Sequence, residues 1–338
     1  MTSGGTDDST RLSPDDAFAI LANETRFAIV RTLWERYDPD DLTNVVKFSD
    51  LYEESAAVPF SELYDSVGYG DTGNFNYHLE QLVDHFVNRT DTGYELTEAG
   101  FEIARAVVAG TVSELPTIEA TEIDVGCPRC DCPVIVDYDN HHTVASCSRC
   151  PGIWQKATGE EGVLFTLPFP PRGLADRTPA EAFQATISYN FHRIESFVAG
   201  ICPDCSSVVE ESLDVCIDHE FDDRGGCPDC FRQHQFEVAE VCRSCKSIAR
   251  GPLTIAILAH LTVQSFYHDR DAAFPFASWE SFRRAQTIEE ELLETDPIRI
   301  QLTIPCQDDR LQLVLDETLA VVDTVQAPSA DHYRSSIK

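Results

Sequence analysis

Ten of the thirteen cysteines fall into five Cys-x-x-Cys pairs, at 127/130, 147/150, 202/205, 227/230 and 242/245. Two thiolates at this spacing point from one turn toward one ion, and a pair of such turns makes a four-ligand zinc site. The first block, Cys127, Cys130, Cys147 and Cys150, separates its two pairs by sixteen residues. That gap has room for a β-hairpin, with "PVIVDY" and "TVASC" as strands turning at Asp139-Asn140. Cys132 lies outside the pattern as a spare thiol, and His141 and His142 read as turn residues near the hairpin tip.

Two further blocks look like a repeat, because both begin Cys-Pro-Asp-Cys. One holds Cys202, Cys205, Cys216 and His219; the other holds Cys227, Cys230, Cys242 and Cys245. Two consecutive ribbons are the expected pairing. The alternatives join Cys202 and Cys205 to Cys227 and Cys230, or cross the pairs in another way. The cofactor expected is Zn²⁺, two or three per chain. Closed four-ligand sites leave no position for a reactive water, so the ions are structural and the chain is not expected to be an enzyme. Such ribbons can also carry a protein-binding surface. His234 reads as exposed hairpin, and Cys306 has no partner in sequence.

A second constellation lies near the N-terminus, in "DTGNFNYHLEQL", residues 71–82. On a helical wheel Phe75, Leu79, Leu82, Val83 and Phe86 share an inward arc. Gly73, Asn74, Tyr77, Gln81 and Asp84 lie opposite, with Asn76 and His78 on the shoulders. Amides can bond adenine edges in a major groove, and a phenol can reach phosphate or base. A helix start offers N–H groups to phosphate, and Gly73 permits close approach. The candidate DNA-contacting residues are therefore Thr72, Gly73, Asn74, Asn76, Tyr77, His78 and Gln81, with Arg89 on the following hairpin. Arg26 and Arg31 are weaker candidates, since Glu24 and Glu35 stand close in sequence.

Several elements must position these groups. "DDAFAILANETRFAIVRTLWERYD" reads as two helices broken near Asn23. "FSDLYEESA" and "PFSELYDSV" follow as short helices, the latter with Ser61 placed to cap. "VNRTDTGYELTEAG" is strand, turn, strand, and a helix starts at Thr97. Helix, helix, turn, helix, hairpin, helix is the order of a winged helix-turn-helix. Farther on, 179–199 is an amphipathic helix with Phe183, Ile187, Ile194 and Val198 near one face. "LTIAILAHLTVQSFYHD" and "SWESFRRAQTIEEELLET" read as helical, the second stopped by Pro297. "IRIQLTIP" and "RLQLVLD" alternate as paired strands around "CQDD". Phe183, Phe191, Phe266, Tyr267, Trp279 and Phe282 supply core, and His192 and His260 read as core histidines.

The expected fold class is α+β multidomain: an N-terminal winged helix-turn-helix, zinc ribbons and a small C-terminal α/β segment. The boundaries are a disordered tail at 1–14, the DNA-binding domain at 15–112 and a linker, or an edge strand, at 113–126. The first ribbon spans 127–166, a proline-rich connector and helix 167–200, and the tandem ribbon region 201–250. C-terminal helices and a β-hairpin occupy 251–326, and a tail 327–338.

"LANETRFAIVRTL" and "GNFNYHLEQLVDHFV" resemble the ArsR-type winged-helix regulators of archaea and bacteria, over roughly residues 15–110. The resemblance rests on Glu-Thr-Arg before an apolar helix and on His-Leu followed by the wing. It implies a regulator that binds double-stranded DNA as a homodimer. Two departures matter. No cysteine precedes Cys127, so the metal-sensing pair of many relatives cannot form in this domain, and "VDHF" replaces a more usual small-residue turn. The whole chain resembles a family of haloarchaeal winged-helix proteins.

Charge complicates that expectation. The chain has 58 acidic against 25 basic residues, a net charge of -33. Only Lys47, Lys156, Lys246 and Lys338 are lysines. This balance resembles proteins of salt-loving archaea, where the screening length falls to about 3 Å in molar salt. Residues 1–112 alone hold seven basic and twenty-one acidic residues. In dilute salt such a domain is repelled by DNA. No apolar run reaches the roughly 18–20 residues of a membrane span, and the N-terminus lacks the pattern of a secretory signal. A cytoplasmic protein with no membrane partner is expected. The alternatives are an adaptor whose winged helix binds protein, and a redox- or metal-responsive zinc protein.

Overall fold

The computed structural model describes residues 12–37, 57–68, 70–108, 116–153, 162–220, 227–230 and 232–328. The chain divides into two compact units, Met1–Ser113 and Glu114–Lys338. "FSDLYEESA" lies outside the described residues.

In the first unit, α1 (Pro14–Leu21) is capped by Ser13, whose hydroxyl accepts from the Asp16 N–H. Asn23 breaks the helical run because its side chain accepts from the N–H groups of Thr25 and Arg26, starting α2 (Glu24–Trp34). Helix α3 (Phe60–Val67) begins after Pro59 without a side-chain cap, so Ser61 does not take the capping role expected of it. It ends at Gly68, whose left-handed φ of 68° closes the last turn onto Tyr64. Helix α4 (Thr72–Glu80) follows, then the antiparallel strands β1 (Val87–Arg89) and β2 (Tyr94–Leu96), then α5 (Glu98–Val108). Thr97 starts α5, its hydroxyl accepting from Gly100. Ile29, Val30, Leu33, Leu63, Phe75, Leu79, Leu82 and Phe101 form one buried core.

The second unit is built on three antiparallel sheets. Strands β3 (Ile118–Gly126), β4 (Pro133–Asp139), β5 (His142–Cys147) and β6 (Val163–Pro168) pair in sequence order. Of the two readings of the segment before Cys127, linker or edge strand, Ile118–Gly126 takes the second. The β4–β5 hairpin turns one residue later than expected, at Asn140-His141, both at positive φ. Two positive-φ residues match the right-handed twist of a tight hairpin. Helix α6 (Pro179–Val198) carries a reciprocal capping box between Thr178 and Glu181. It is held to the sheet by Thr186, 2.8 Å from Thr143, and by Asn190, which donates to the Pro168 carbonyl. Its inward face is Phe183, Ile187, Phe191 and Phe197, whereas Val198 is exposed.

Strands β7 (Val209–Val215), β8 (Phe236–Cys242) and β9 (Ile248–Pro252) form the second sheet. Helices α7 (Leu253–Ala256), α8 (Leu261–His268) and α9 (Trp279–Ala285) lead to the third, β10 (Glu289–Thr295), β11 (Ile298–Cys306), β12 (Asp309–Asp316) and β13 (Val321–Pro328). The pairing of β11 with β12 around the "CQDD" turn is as expected. The helix expected over 278–295 ends at Ala285. "EEELLET" is instead a strand, because its alternate residues Glu290 and Leu292 turn inward and pair with β11. All six aromatics expected in the core are buried. His192 and His260 are not core histidines: both are exposed, and His260 caps α8 by accepting from Thr262. Cys306 is a buried core residue, 1 % exposed. One apolar cluster runs through all three sheets and α6 to α9, so the modules separated in sequence share a single core. No helix among the described residues is long and apolar enough to cross a membrane.

Candidate metal centres and candidate nucleic-acid interface

Twelve Cys and His side chains gather into three groups of four, whose ligand atoms lie within 4.8 Å of one another in each group. The first is Cys127, Cys130, Cys147 and Cys150, as the spacing predicts. Its Sγ atoms stand 3.7 Å apart for Cys127 and Cys150, and 3.5 Å for Cys130 and Cys147. The other two groups correct the expected consecutive pairing. Cys202 and Cys205 join Cys242 and Cys245, and Cys216 and His219 join Cys227 and Cys230. The sites are nested.

The physical reason is strand length. Between Cys205 and Cys216 the chain runs as one strand, β7, whose seven residues at about 3.3 Å each hold its ends roughly 20 Å apart. The two pairs of one block therefore cannot share an ion. Antiparallel β8 returns beside it, with Val209 opposite Cys242 and Val215 opposite Phe236. One end of the ladder collects Cys202, Cys205, Cys242 and Cys245. The other collects the remaining four.

Backbone geometry prepares the pairs. In four of them the first cysteine's N–H donates to the carbonyl five residues on: Cys127 to Cys132, Cys202 to Ser207, Cys227 to Arg232 and Cys242 to Ser247. Asp131, Ser206 and Lys246 make the return turn at φ of 57°, 57° and 68°. The Cys147 turn differs, with Gly152 at φ 75°; a Cβ there would meet the Val163 carbonyl oxygen at 2.3 Å. Each turn aims N–H groups at sulfur. The Cys132 backbone hydrogen bond leads in bringing Cys130 to about 7, and that of Cys245 leads in bringing Cys242 to about 6. Burial drives Cys150 and Cys216 up to about 12. Four thiols this close share their protons, and a divalent cation replacing those protons lets all of them ionise. Separations of 3.5–3.8 Å match the edge of a tetrahedron whose ligands sit about 2.3 Å from a central ion. In the third group His219 presents Nδ1, 3.5 Å from the Cys230 sulfur, and burial lowers its pKa, favouring the neutral ring a metal needs.

Supporting residues were not legible in the spacing. Asp204, inside the first Cys-Pro-Asp-Cys, takes two 2.7 Å bonds from Arg193 of α6 and another from Ser247. Hydrogen bonding to Arg193 holds its carboxyl below the usual range. Trp279 and Arg283 of α9 both donate to the Gly126 carbonyl beside Cys127. His234 is buried rather than exposed, 3.3 Å from Glu290 of β10. Arg232, 7 % exposed, bonds Asp214 and Glu237 just after the third group.

In the first unit, α4 separates its faces as the wheel predicts. Phe75, Leu79 and Leu82 are fully buried, while Thr72, Gly73, Asn74, Asn76, Tyr77 and Gln81 are exposed. His78 is half-buried, and burial together with Arg26 lowers its pKa. Gln81 sits at the C-cap. Val83 packs beside the core, only partly buried. A Cβ at Gly73 would meet only the Asp71 carboxylate, at 3.4 Å, so nothing inside the fold requires glycine there. Two expectations change. The Asp71 side chain accepts from the N–H groups of Gly73 and Asn74, so the helix start does not offer those donors to an anion. Arg89, the cation of the hairpin, pairs with Glu80 and lies over the Tyr94 ring. Arg31 pairs with Glu35 at 3.7 Å, and Arg26 donates to the Ala19 carbonyl.

No curated protein and no solved structure matches the chain. Residues 14–107 match a family model described as "Domain of unknown function (DUF7347)", and residues 124–321 match one described as "Domain of unknown function (DUF7351)". These limits follow the two structural units. The second match covers more than half of the chain, and the chain belongs to the DUF7351 family.

Proposed function

We propose that the protein is a DNA-binding transcriptional regulator. In this reading the first unit is a winged helix-turn-helix, and the second is organised by three structural Zn²⁺ ions in ribbon-like sites. The observation that carries it is α4: an exposed row of Asn74, Tyr77 and Gln81 opposite a buried Phe75, Leu79 and Leu82, followed directly by a hairpin. Amide-rich, cation-free readers suit a protein working in concentrated salt. There counterion release adds little, and affinity must come from base contacts and shape. Zinc suits the second unit because eleven of the twelve donors are thiols and the twelfth an imidazole. The ions would fix the two ends of the β7–β8 ladder and the β4–β5 hairpin, with no open position for chemistry.

The test is operator selection with the full-length protein in about 2–3 M KCl, where the screening length is below the roughly 3 Å of 1 M salt. A selected duplex should bind with flat or rising affinity as KCl increases. Asn74→Ala combined with Gln81→Ala should abolish binding while circular dichroism stays unchanged. Affinity that falls steeply with KCl, or survives the double substitution, overturns the reading. An adaptor would select no duplex and give no discrete genomic peaks after crosslinking.

A further inference from the structure

The second unit contains a cavity of about 420 Å³ between β6, α6, β8, β9, α7 and α9. Its wall is mainly apolar, with Phe165, Phe191, Val238 and Phe282 among its residues, and it also includes Cys230, Arg232, Glu237, Glu240 and Arg250. That volume falls within the range of small-molecule sites. Two features separate it from a packing defect.

The first is Glu240. It is 4 % exposed, lines the cavity and alternates with Val238 on the core-facing side of β8. Its Oε1 is buried and, among the described residues, has no hydrogen-bond partner. Its cross-strand neighbours are Glu211, a second acid, and Ala249, whose side chain has no donor. The nearby cations are committed elsewhere: Arg232 to Asp214 and Glu237, and Arg250 to Glu237. A buried acceptor left unmatched is costly, and binding sites are where such groups persist. The second is Gly251, opposite Val238 on β9 and also in the wall. A Cβ there would meet nothing within 4 Å, so a strand position that could carry a side chain leaves the space open.

We infer that this cavity binds a mainly apolar small molecule carrying a hydrogen-bond-donating nitrogen, which Glu240 accepts. In either protonation state an oxygen of Glu240 can accept such a bond. A carboxylate ligand is disfavoured, because it would face the acids Glu237 and Glu240 in the wall while both arginines there already carry acidic partners, although the Arg232 Nε has none among the described residues. The inference does not depend on whether the first unit binds DNA.

The test uses the full-length, zinc-loaded protein and three probes of similar shape: 3-phenylpropylamine, butylbenzene and 4-phenylbutanoate. Calorimetry should show the amine binding about tenfold or more tighter than the hydrocarbon, and the acid weakest. Glu240→Leu should weaken the amine about tenfold and leave the hydrocarbon within a few fold, and the near-isosteric Glu240→Gln, which keeps an accepting oxygen, should weaken the amine less. Gly251→Leu should fill the space and remove binding of both, with zinc content unchanged. Amine affinity untouched by Glu240→Leu, an acid that matches the amine, binding that survives Gly251→Leu, or no binding of the amine at millimolar concentration would each overturn it.

Discussion

Replacing Cys205 and Cys245 together by Ser distinguishes nested from consecutive sites by counting ions. Both cysteines are exposed, so the change opens no cavity in the core. In the nested arrangement both belong to one site, which falls from four ligands to two, while the other two sites keep all four. A zinc site of this kind is worth on the order of 10–16 kcal/mol of apparent binding free energy at neutral pH. A two-ligand remnant cannot compete with the intact sites for limiting zinc, so the ion count falls by one. Native mass spectrometry after equilibration with a chelator should show two ions per chain, both released as slowly as in the unmodified protein. Pairing Cys205→Ser with Cys216→Ser is the control. It places one lesion in each of two nested sites, leaving three ligands in both. That variant should show two weakened ions and one normal one. If the pairing were consecutive, the two results would exchange. Two weakened ions in the Cys205/Cys245 variant would refute the strand-length argument.

Glu80→Gln should release Arg89 from its ion pair and, if the hairpin flanks DNA, tighten operator binding about two- to fivefold, consistent with an exposed pair worth under about 1 kcal/mol; anisotropy in molar KCl measures it, and weaker binding would count against a phosphate contact. Gly100→Ala would set a Cβ 2.2 Å from the Phe86 carbonyl oxygen, where α5 meets the turn before β1. A loss of about 1–3 kcal/mol is expected in chemical denaturation of the first unit, as for other overpacked sites. Arg232→Ala strands Glu237, 5 % exposed, with only the peripheral Arg250. A loss of about 3–5 kcal/mol is expected, and adding Glu237→Gln should recover most of it in the same melts.

The sequence by itself determined which side chains could serve as metal ligands. Cysteine pairs at two-residue spacing serve ions whatever the surrounding fold, because the turn is local. It also determined the two faces of α4, since a 3.6-residue period sorts Phe75, Leu79 and Leu82 from Asn74, Tyr77 and Gln81 without any neighbour. The β4–β5 hairpin was legible because sixteen residues between pairs hold two strands and a turn. Ten or eleven hold only one strand, and that count was the available signal for nested sites.

Only the tertiary structure decided which pairs meet. Cys202 and Cys245 are distant in sequence, and their 3.5 Å approach is set by the register of β8 on β7. Likewise "EEELLET" has helical composition, yet β11 captures it as an edge strand, because pairing and a half-buried face outweigh intrinsic propensity. The commitments of Asp71 and Arg89 and the unmatched oxygen of Glu240 depend equally on their neighbours in space. A lone glutamate on the apolar register of β8 was visible in sequence; that no donor among the described residues reaches its Oε1 became visible only when the strands around it were in place.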